Sequence, residues 1–267
     1  MRERFTAGLV AGYVVLILLA VAYLYPFLIS IASSFKTDQE AVAEPLSLIP
    51  QTPTFAAYER LFTGTDIGLW GVNSVIVTLC VTVGRVFFDS LAGYALSRLR
   101  FRGRTVVFAA FIAVMAVPSV VLMVPRFLVL KELALYDTYG GMIIPLIVDA
   151  AGIFIMKQFF DSIPASIEEA ARIDGAGVFR TFWSVTLPMA APALVTLTIL
   201  SFQGSWNEFA HFVISRQSPE LNTLTTGVAS LVSGQLGSGS QFPLKLAAAV
   251  LMTIPVAIVF FIFQRRI

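Results

Sequence analysis

The feature that most limits the fold of this chain is a set of long stretches without Asp, Glu, Lys or Arg. A helix that spans a membrane needs about 20 mostly apolar residues. Stretches of this kind, one of them interrupted by Asp149, occur at Leu9–Phe35, Ile67–Gly84, Thr105–Pro125, Thr138–Met156, Thr181–Asn207 and Leu246–Gln264. Charged residues make up only 13% of the chain, against about 25% in soluble proteins. The sequence therefore predicts an all-α membrane protein with six transmembrane helices in a single domain, residues 1–267, with the spans at 9–33, 67–96, 105–125, 138–157, 188–212 and 244–264.

The distribution of Lys and Arg gives the orientation, because these residues in short loops are retained on the cytoplasmic side. With the N-terminus inside, the cytoplasmic segments carry eleven: Arg2, Arg4, Arg98, Arg100, Arg102, Arg104, Lys157, Arg172, Arg180, Arg265 and Arg266. The external segments carry six: Lys36, Arg60, Arg126, Lys131, Arg216 and Lys245. The dense run SRLRFRGR at 97–104 favours the same orientation. We therefore expect an N-in/C-in topology, and the net charge of +2 is a topology signal that calls for no nucleic-acid partner.

The first apolar stretch follows basic residues, as a signal peptide would. It is longer than the 7–15 residues of a signal-peptide core. Pro26 and Phe27 stand where small residues would be expected at a cleavage site. We interpret it as an uncleaved first helix.

Two polar segments, Lys36–Asp66 and 213–243, are predicted to be external. Each has about thirty residues and exceeds the usual length of a connection. The second contains SGQLGSGSQFP at 233–243, which is rich in glycine and serine, as loops are. A docking role is favoured slightly over the alternative, plain connectors between spans.

The sequence offers little catalytic chemistry. Cys80 and His211 are each the only residue of their type, so the chain has neither a disulfide framework nor a His/Cys metal cage. A phosphate-binding GxxxxGK[ST] loop and an HExxH zinc motif are both absent from the sequence. We therefore expect no catalytic residue, no metal and no cofactor bound by this chain. An enzyme using Asp149, Glu208 and His211 is the weaker alternative, since no nucleophile or metal cluster accompanies them.

Polar residues inside the spans are informative because they are costly in lipid. Arg85 and Asp89 stand four residues apart, so they can pair on one helix face; we favour a structural pair over a proton relay. Asp149 should face protein or water.

Gln203, Trp206 and Asn207 share one face of the fifth span, and Glu208 follows them. An aromatic ring beside amides suits a sugar. An interfacial aromatic belt with polar packing contacts explains the same residues equally well. These four residues are candidates for the substrate pathway.

The segment EEAARIDGAGVFRTFWSVTLP at 168–188 is a polar insertion between spans 4 and 5. Its acids lie early, where a helix dipole favours them, and Asp174-Gly175 suits the end of a helix. An aromatic stripe of Phe179, Phe182 and Trp183 follows. We predict a cytoplasmic helix–turn–helix within 161–187. An amphipathic helix lying on lipid is the alternative, but such helices are usually basic, whereas residues 161–174 carry four acids and one Arg.

This segment resembles the EAA signature of bacterial ABC-importer permeases. Glu169-Ala170-Ala171, three residues, Gly175, nine residues, Val185, one residue and Leu187-Pro188 follow the pattern, with Val in place of the usual Ile. Five further stretches resemble the carbohydrate-importer branch, which includes the maltose-system subunit with six spans: SFK at 34–36, GYALSRLRFRG at 93–103, IPASIEEAARIDGA at 163–176, WNEF at 206–209 and IPVAIVFFIFQRR at 254–266. The resemblance covers nearly the whole chain and implies a location in the bacterial cytoplasmic (inner) membrane.

In that family the EAA segment is a coupling helix that inserts into a cleft of a cytoplasmic ATPase. The resemblance implies a coupling role for Glu168, Glu169, Ala170, Ala171, Asp174, Gly175 and Ala176. It also implies a second homologous permease, two ATPase subunits that bind ATP and Mg, and an extracytoplasmic solute-binding protein. That protein would contact the external loop at Gly234, Gln235, Leu236, Gly237, Ser238, Gly239, Ser240 and Gln241.

The function that the resemblance implies is that of a non-catalytic permease subunit of an ATP-driven sugar importer. A permease of the same type for a non-sugar solute (an amino acid, a peptide or a phosphorylated polyol) is the alternative.

Overall fold

The structure is a computed structural model that describes residues 7–233 and 241–264. Over these two ranges all regular structure is helical and no strand is present, which confirms the predicted all-α class. The residues 234–240 of the expected binding-protein contact loop lie outside the described residues, as do Arg265 and Arg266. The chain divides into two compact units, one formed by 1–67 and 228–254 and the other by 68–227 and 255–267.

The first unit begins with a long apolar helix. Its helices before residue 67 are α1 (Ala7–Ser34), α2 (Asp38–Ala43) and α3 (Ala56–Gly64). Nearly all the large apolar side chains of α1 are exposed, as expected for a helix that is hydrophobic all round and surrounded by lipid. Lys36, just beyond α1, is 1% exposed and donates to the carbonyl oxygens of Glu44 and Ser47, both at 2.7 Å. These bonds fix the start of the loop that the sequence predicts to be external.

Among the described residues, the second unit holds most of the other helices; the first and the last two of them have residues in both units. In chain order they are α4 (Ile67–Arg98), α5 (Arg104–Met115), α6 (Met123–Glu132), α7 (Tyr139–Ile143), α8 (Ala150–Ser162), α9 (Ala165–Ile173), α10 (Val178–Thr181), α11 (Leu187–Met189), α12 (Ala191–Trp206), α13 (Ala210–Ser215), α14 (Leu224–Ser233) and α15 (Phe242–Phe263). Three 3₁₀ turns (Ser119–Leu122, Ile144–Leu146 and Pro219–Leu221) and one π-helical turn (Phe182–Thr186) lie between them.

Four helical segments among the described residues are long and apolar enough to cross a membrane: Gly8–Ser34, Ile67–Arg98, Tyr139–Ser162 and Phe242–Phe263. Two further candidates are bent pairs. Arg104–Met115 and Ser119–Glu132 meet at 99°, and Val178–Met189 and Ala191–Trp206 meet at 81°. The chain thus has four to six candidate spans, because each bent pair counts as one span or as none.

The bends fall at prolines. Pro118 immediately precedes the second arm of the first pair, and Pro192 lies at the start of α12. Proline lacks an N–H group and clashes with the preceding turn, so it favours the beginning of a helix over its middle. The expected third span, 105–125, is therefore a 12-residue helix followed by a sharp turn.

The core of the second unit forms where α4 and α8 pack closely. A Cβ atom at Gly93 would lie 2.8 Å from the Met156 Cβ and 2.9 Å from the Lys157 amide nitrogen, so only glycine fits there. The buried cluster around this contact includes Tyr94, Phe160 and Phe182. Because Phe182 belongs to the segment after α9, this core holds the predicted coupling segment against α4 and α8.

Candidate functional site

The predicted helix–turn–helix is present. Helix α9 ends in a turn in which Gly175 has a φ of +77°. The Ala176 N–H donates to the Ala171 carbonyl (2.9 Å) and the Gly175 N–H to the Arg172 carbonyl (3.0 Å). These two bonds around a left-handed glycine form a Schellman motif, which closes a helix and turns the chain. Gly175, which the sequence places at the turn, therefore has the left-handed conformation that glycine adopts without strain.

One side of this segment is open to the surroundings. Glu169 and Ala170 are exposed, as are Asp174 and Gly175 in the turn, whereas Ala171 and Ala176 are half-buried. Two large apolar residues are also exposed, Ile173 by 87% and Phe179 by 74%. Large apolar residues exposed close to one another often mark a protein interaction surface. We call the surface formed by Glu169, Ala170, Ile173, Asp174 and Phe179 the docking face.

Glu168 points the other way. It is 4% exposed, and its Oε1 lies 3.1 Å from Arg98 Nε. The two groups form an ion pair by distance, although their orientation is not that of a hydrogen bond. The Thr186 hydroxyl donates to the same carboxylate at 3.3 Å, and Arg172 lies 3.9 Å from its other oxygen. Glu168 therefore anchors the segment, whereas its neighbour Glu169 is free for a partner.

Arg98 connects this anchor to the membrane helices. It is the last residue of α4, and its Nη2 donates to the carbonyl oxygens of Phe160 and Ile163 at the end of α8. A cation is favourable there, because the last carbonyls of a helix carry partial negative charge. One guanidinium thus joins α4, α8 and α9, and we call the Arg98–Glu168 pair with its carbonyl contacts the joint. From the sequence, Arg98 was expected only to mark the cytoplasmic side; its position at the end of a span was the signal for a structural role.

A cleft of about 520 Å³ lies beside the joint. Its charged lining residues are Arg98, Arg100, Arg104, Glu168, Glu169 and Arg172. The positive lining therefore lies directly next to the docking face.

The candidate substrate residues are brought together only in part. Gln203 and Asn207 are exposed on α12, but Trp206 is 4% exposed and its ring stacks on Phe202, with 5.7 Å between centroids. The Glu208 carboxylate accepts the His211 N–H at 2.9 Å and so caps α13. Of the four residues, Gln203 and Asn207 are exposed, and the Asn207 amide nitrogen donates to the Gln203 carbonyl at 3.0 Å.

The described residues contain no group of three or more His, Cys, Asp or Glu side chains that could hold a metal ion. Asp149 and Glu208, which the enzyme alternative requires, each cap a helix. They have the roles of structural caps rather than of an acid–base pair.

Comparisons with known proteins agree with this geometry. The family model described as "Binding-protein-dependent transport system inner membrane component" matches residues 89–267. The arabinooligosaccharides transport system permease protein AraQ of Bacillus subtilis is 32% identical over 98% of this chain and 93% of its own length. The diacetylchitobiose uptake system permease protein NgcG of Streptomyces coelicolor is 34% identical over 99% of this chain and 87% of its own length.

A solved structure is also similar. It is the crystal structure of a bacterial ABC transporter involved in the import of the acidic polysaccharide alginate, with which the chain shares 29% identity and a TM-score of 0.83. The match covers 96% of this chain and 95% of that one. A helical membrane fold, a helix–turn–helix in the segment that resembles the EAA signature and these similarities lead to one conclusion. The chain belongs to the family of binding-protein-dependent transport system inner membrane components, the non-catalytic permease subunits of ABC importers.

Proposed function

We propose that this chain forms half of the membrane pathway of an ATP-driven carbohydrate importer and couples to an ATPase through the docking face. The observation that carries the proposal is the opposite orientation of two adjacent carboxylates. Glu168 is buried in the joint and Glu169 is exposed beside Ile173 and Phe179. Such an arrangement fixes the segment to the membrane helices and leaves its outer side for another protein.

The proposed topology has six spans, with both termini in the cytoplasm. It counts each bent pair as one span and places the docking face on the side with more Lys and Arg. The charged loop at 97–104 then lies at the cytoplasmic end of α4, and the joint holds α9 against it.

The proposed assembly contains a second homologous permease, two ATPase subunits and an extracytoplasmic solute-binding protein. ATP and Mg bind to the ATPase subunits. Closure of the ATPase dimer pulls the docking face, and the joint transmits the movement to α4 and α8. Among the docking residues, Glu169 pairs with a basic group of the ATPase, and Ala170 allows the close approach of another backbone. The loop ending at Gln241 contacts the binding protein.

The cargo is a carbohydrate in this proposal. The relatives described above are permeases named for arabinooligosaccharides and diacetylchitobiose, and the transporter of similar structure is involved in the import of alginate. The exposed Gln203 amide suits sugar hydroxyls, and Asn207, whose amide nitrogen donates to the Gln203 carbonyl, keeps its amide oxygen as an acceptor for them. These two residues are the proposed contribution of this chain to the pathway.

A reversal of charge at the docking face tests the coupling role. In a reconstituted complex, Glu169→Lys should abolish uptake while the amount of inserted chain stays unchanged, because a like charge then faces the ATPase. Glu132→Lys is a matched control, since Glu132 is also exposed and lies at the end of α6, away from the docking face. Wild-type uptake by the Glu169→Lys complex would contradict the assignment.

A ligand screen tests the cargo. Each candidate is presented with the binding protein, and the rate of ATP hydrolysis is measured. Stimulation by a carbohydrate supports the proposal. Stimulation only by an amino acid, a peptide or a phosphorylated polyol would support the alternative.

A further inference from the structure

The span Tyr139–Ser162 is not a continuous helix. Helix α7 and a 3₁₀ turn end at Leu146, and α8 begins at Ala150. Asp149 between them is extended, with φ −132° and ψ 128°. We call residues 147–149 the break. Backbone N–H and C=O groups inside a membrane must be hydrogen-bonded within the protein. The break leaves such groups without partners in its own helix, so other residues must bond to them.

Two side chains of the neighbouring helix α4 satisfy those groups. Arg85 Nε donates to the Leu146 carbonyl at 2.7 Å, on the side of the break where the first half ends. The Asp89 Oδ1 accepts the Asp149 N–H at 3.0 Å, on the side where the second half begins. Asp149 itself accepts the Gly152 N–H at 3.1 Å. The helix ends on both sides of the break are therefore bonded by side chains of α4, and the second half is also capped by Asp149 of the span itself.

The charges match the ends that they contact. A helix carries partial negative charge at its C-terminus and partial positive charge at its N-terminus. Arg85 meets the former and Asp89 the latter. The expectation that Arg85 and Asp89 pair with each other is wrong, because no ion pair within 4.0 Å joins them in the described part of the chain. The reason is that each has a stronger competitor in the nearby helix ends.

Close backbone packing holds the two side chains at these ends. A Cβ at Gly84 would lie 2.8 Å from the Ile147 Cβ, and a Cβ at Gly152 would collide with the Asp89 carboxylate. Asp89 is fully buried, and its Oδ2 has no hydrogen-bond partner among the residues that the structure describes. An unpartnered buried acceptor is costly, and a second shape of the break, in which this oxygen gains a donor, would remove the cost.

We propose that Arg85 and Asp89 are positioning residues that clasp the break, and that the span bends at residues 147–149 when the pathway changes its access. The proposal rests on the proposed function for its second part, the link to transport. We call the contacts of Arg85 with Leu146 and of Asp89 with Asp149 the clasp. The clasp stabilises the bend described here, and the loss of either contact favours a different bend angle at residues 147–149.

Distance measurements by electron paramagnetic resonance test this directly. Nitroxide labels are placed at Ile144→Cys and Gln158→Cys, one on each side of the break, in the complete complex with Cys80→Ser. Both sites are exposed in the chain, and an unbroken helix over the fourteen residues between them would measure about 21 Å. The distance distribution is measured without nucleotide and in an ATP-bound, trapped state. It is then compared among wild type, Arg85→Met, Arg85→Lys, Asp89→Asn and the control Ser90→Ala. The Ser90 hydroxyl donates to the Val86 carbonyl of its own helix and contacts neither Leu146 nor Asp149.

We expect the wild type to have two distances whose proportions change with nucleotide. Arg85→Met should shift these proportions at least about tenfold in the absence of nucleotide, as the loss of one charge-assisted hydrogen bond predicts. Arg85→Lys keeps the cation and a donor and should restore most of the wild-type proportions, while Ser90→Ala should leave them unchanged. If Arg85→Met is not recovered as folded protein, Asp89→Asn provides the comparison, because it keeps the acceptor and loses the charge.

A single distance in both nucleotide states, or unchanged proportions in Arg85→Met and Asp89→Asn, would overturn the proposal. Uptake by the wild-type complex is measured in parallel. A complex that hydrolyses ATP without carrying any solute would contradict the proposed function, and the comparison among variants would still report on the clasp.

Discussion

Replacing Glu168 by Gln tests the joint, because this change removes one negative charge and almost no volume. In the wild type the carboxylate lies 3.1 Å from Arg98 Nε, and the two side chains are 5% and 12% exposed. Both charges are thus shielded from water, and little of their interaction is lost to solvent screening. Removing the carboxylate leaves the buried Arg98 without its only counter-charge within the joint.

The loss of stability in Glu168→Gln depends on which hydrogen bonds the variant keeps. Breaking a buried ion pair on one side costs about 3–5 kcal/mol. In the Glu168→Gln variant Arg98 keeps its two carbonyl acceptors, and the new side-chain amide keeps an oxygen for the Thr186 hydroxyl. We therefore expect a reduction in the free energy of unfolding of about 2 kcal/mol, near the value of one hydrogen bond to a charged group. In chains of this size about 1 kcal/mol corresponds to 2–4 °C, which gives a decrease in Tm of about 4–8 °C.

The assay is thermal unfolding of the purified chain in lipid nanodiscs. Glu169→Gln is the matched control: it is the same substitution one residue further, on an exposed side chain, and should change the free energy of unfolding by no more than about 0.5 kcal/mol. The double variant Arg98→Gln/Glu168→Gln should be less destabilised than the sum of the single variants. Equal melting of Glu168→Gln and Glu169→Gln, or full additivity in the cycle, would refute the joint.

Three further expectations concern single residues. Gly93→Ala should destabilise the chain by about 1–3 kcal/mol, since the added methyl would overlap Met156 and overpacking costs this much; Gly68→Ala, in the same helix with nothing within 4 Å, should be neutral or stabilising in the same melting assay. Gly175→Ala should cost about 1–2 kcal/mol because Gly175 has a positive φ, and Gly175→Asn should cost less; equal costs would argue against the Schellman turn. The pKa of Asp137 lies below its usual range because the Ser218 hydroxyl and the Gln217 and Ser218 N–H groups donate to it. Its contribution to stability is therefore complete above the unfolded pKa of about 3.9 and is lost as the pH falls through the folded value, so the Tm difference between wild type and Asp137→Asn should shrink below about pH 4; a difference that stays constant down to about pH 2 would contradict this.

Features that depend on local pattern were predictable from the sequence. The apolar stretches gave the helical membrane class, and Asp174-Gly175 gave the end of α9 with its positive-φ glycine. In both cases the cause lies within a few residues of its effect: the length of an apolar run, or the conformational freedom of glycine.

Features that depend on distant partners were not predictable. Glu168 and Glu169 are identical in type and adjacent, yet Glu168 is the one that is buried, where it contacts Arg98 and Thr186, both distant in the sequence. Arg85 and Asp89 have the spacing of an ion pair, but the interrupted span beside them offers better partners. Trp206 has the helical spacing of a pathway residue but stacks inward on Phe202.

The most direct test of the central claim, that the docking face binds an ATPase, is chemical labelling of Ile173→Cys in the Cys80→Ser background. Ile173 is 87% exposed, so a membrane-impermeant maleimide should modify the cysteine rapidly in the chain reconstituted with its permease partner. Addition of the ATPase subunits should slow this labelling at least about tenfold, as burial in an interface requires. Ile49→Cys, 79% exposed in the segment expected outside, should react equally with and without them. Unchanged labelling of Ile173→Cys in a complex that binds the ATPase would contradict the account.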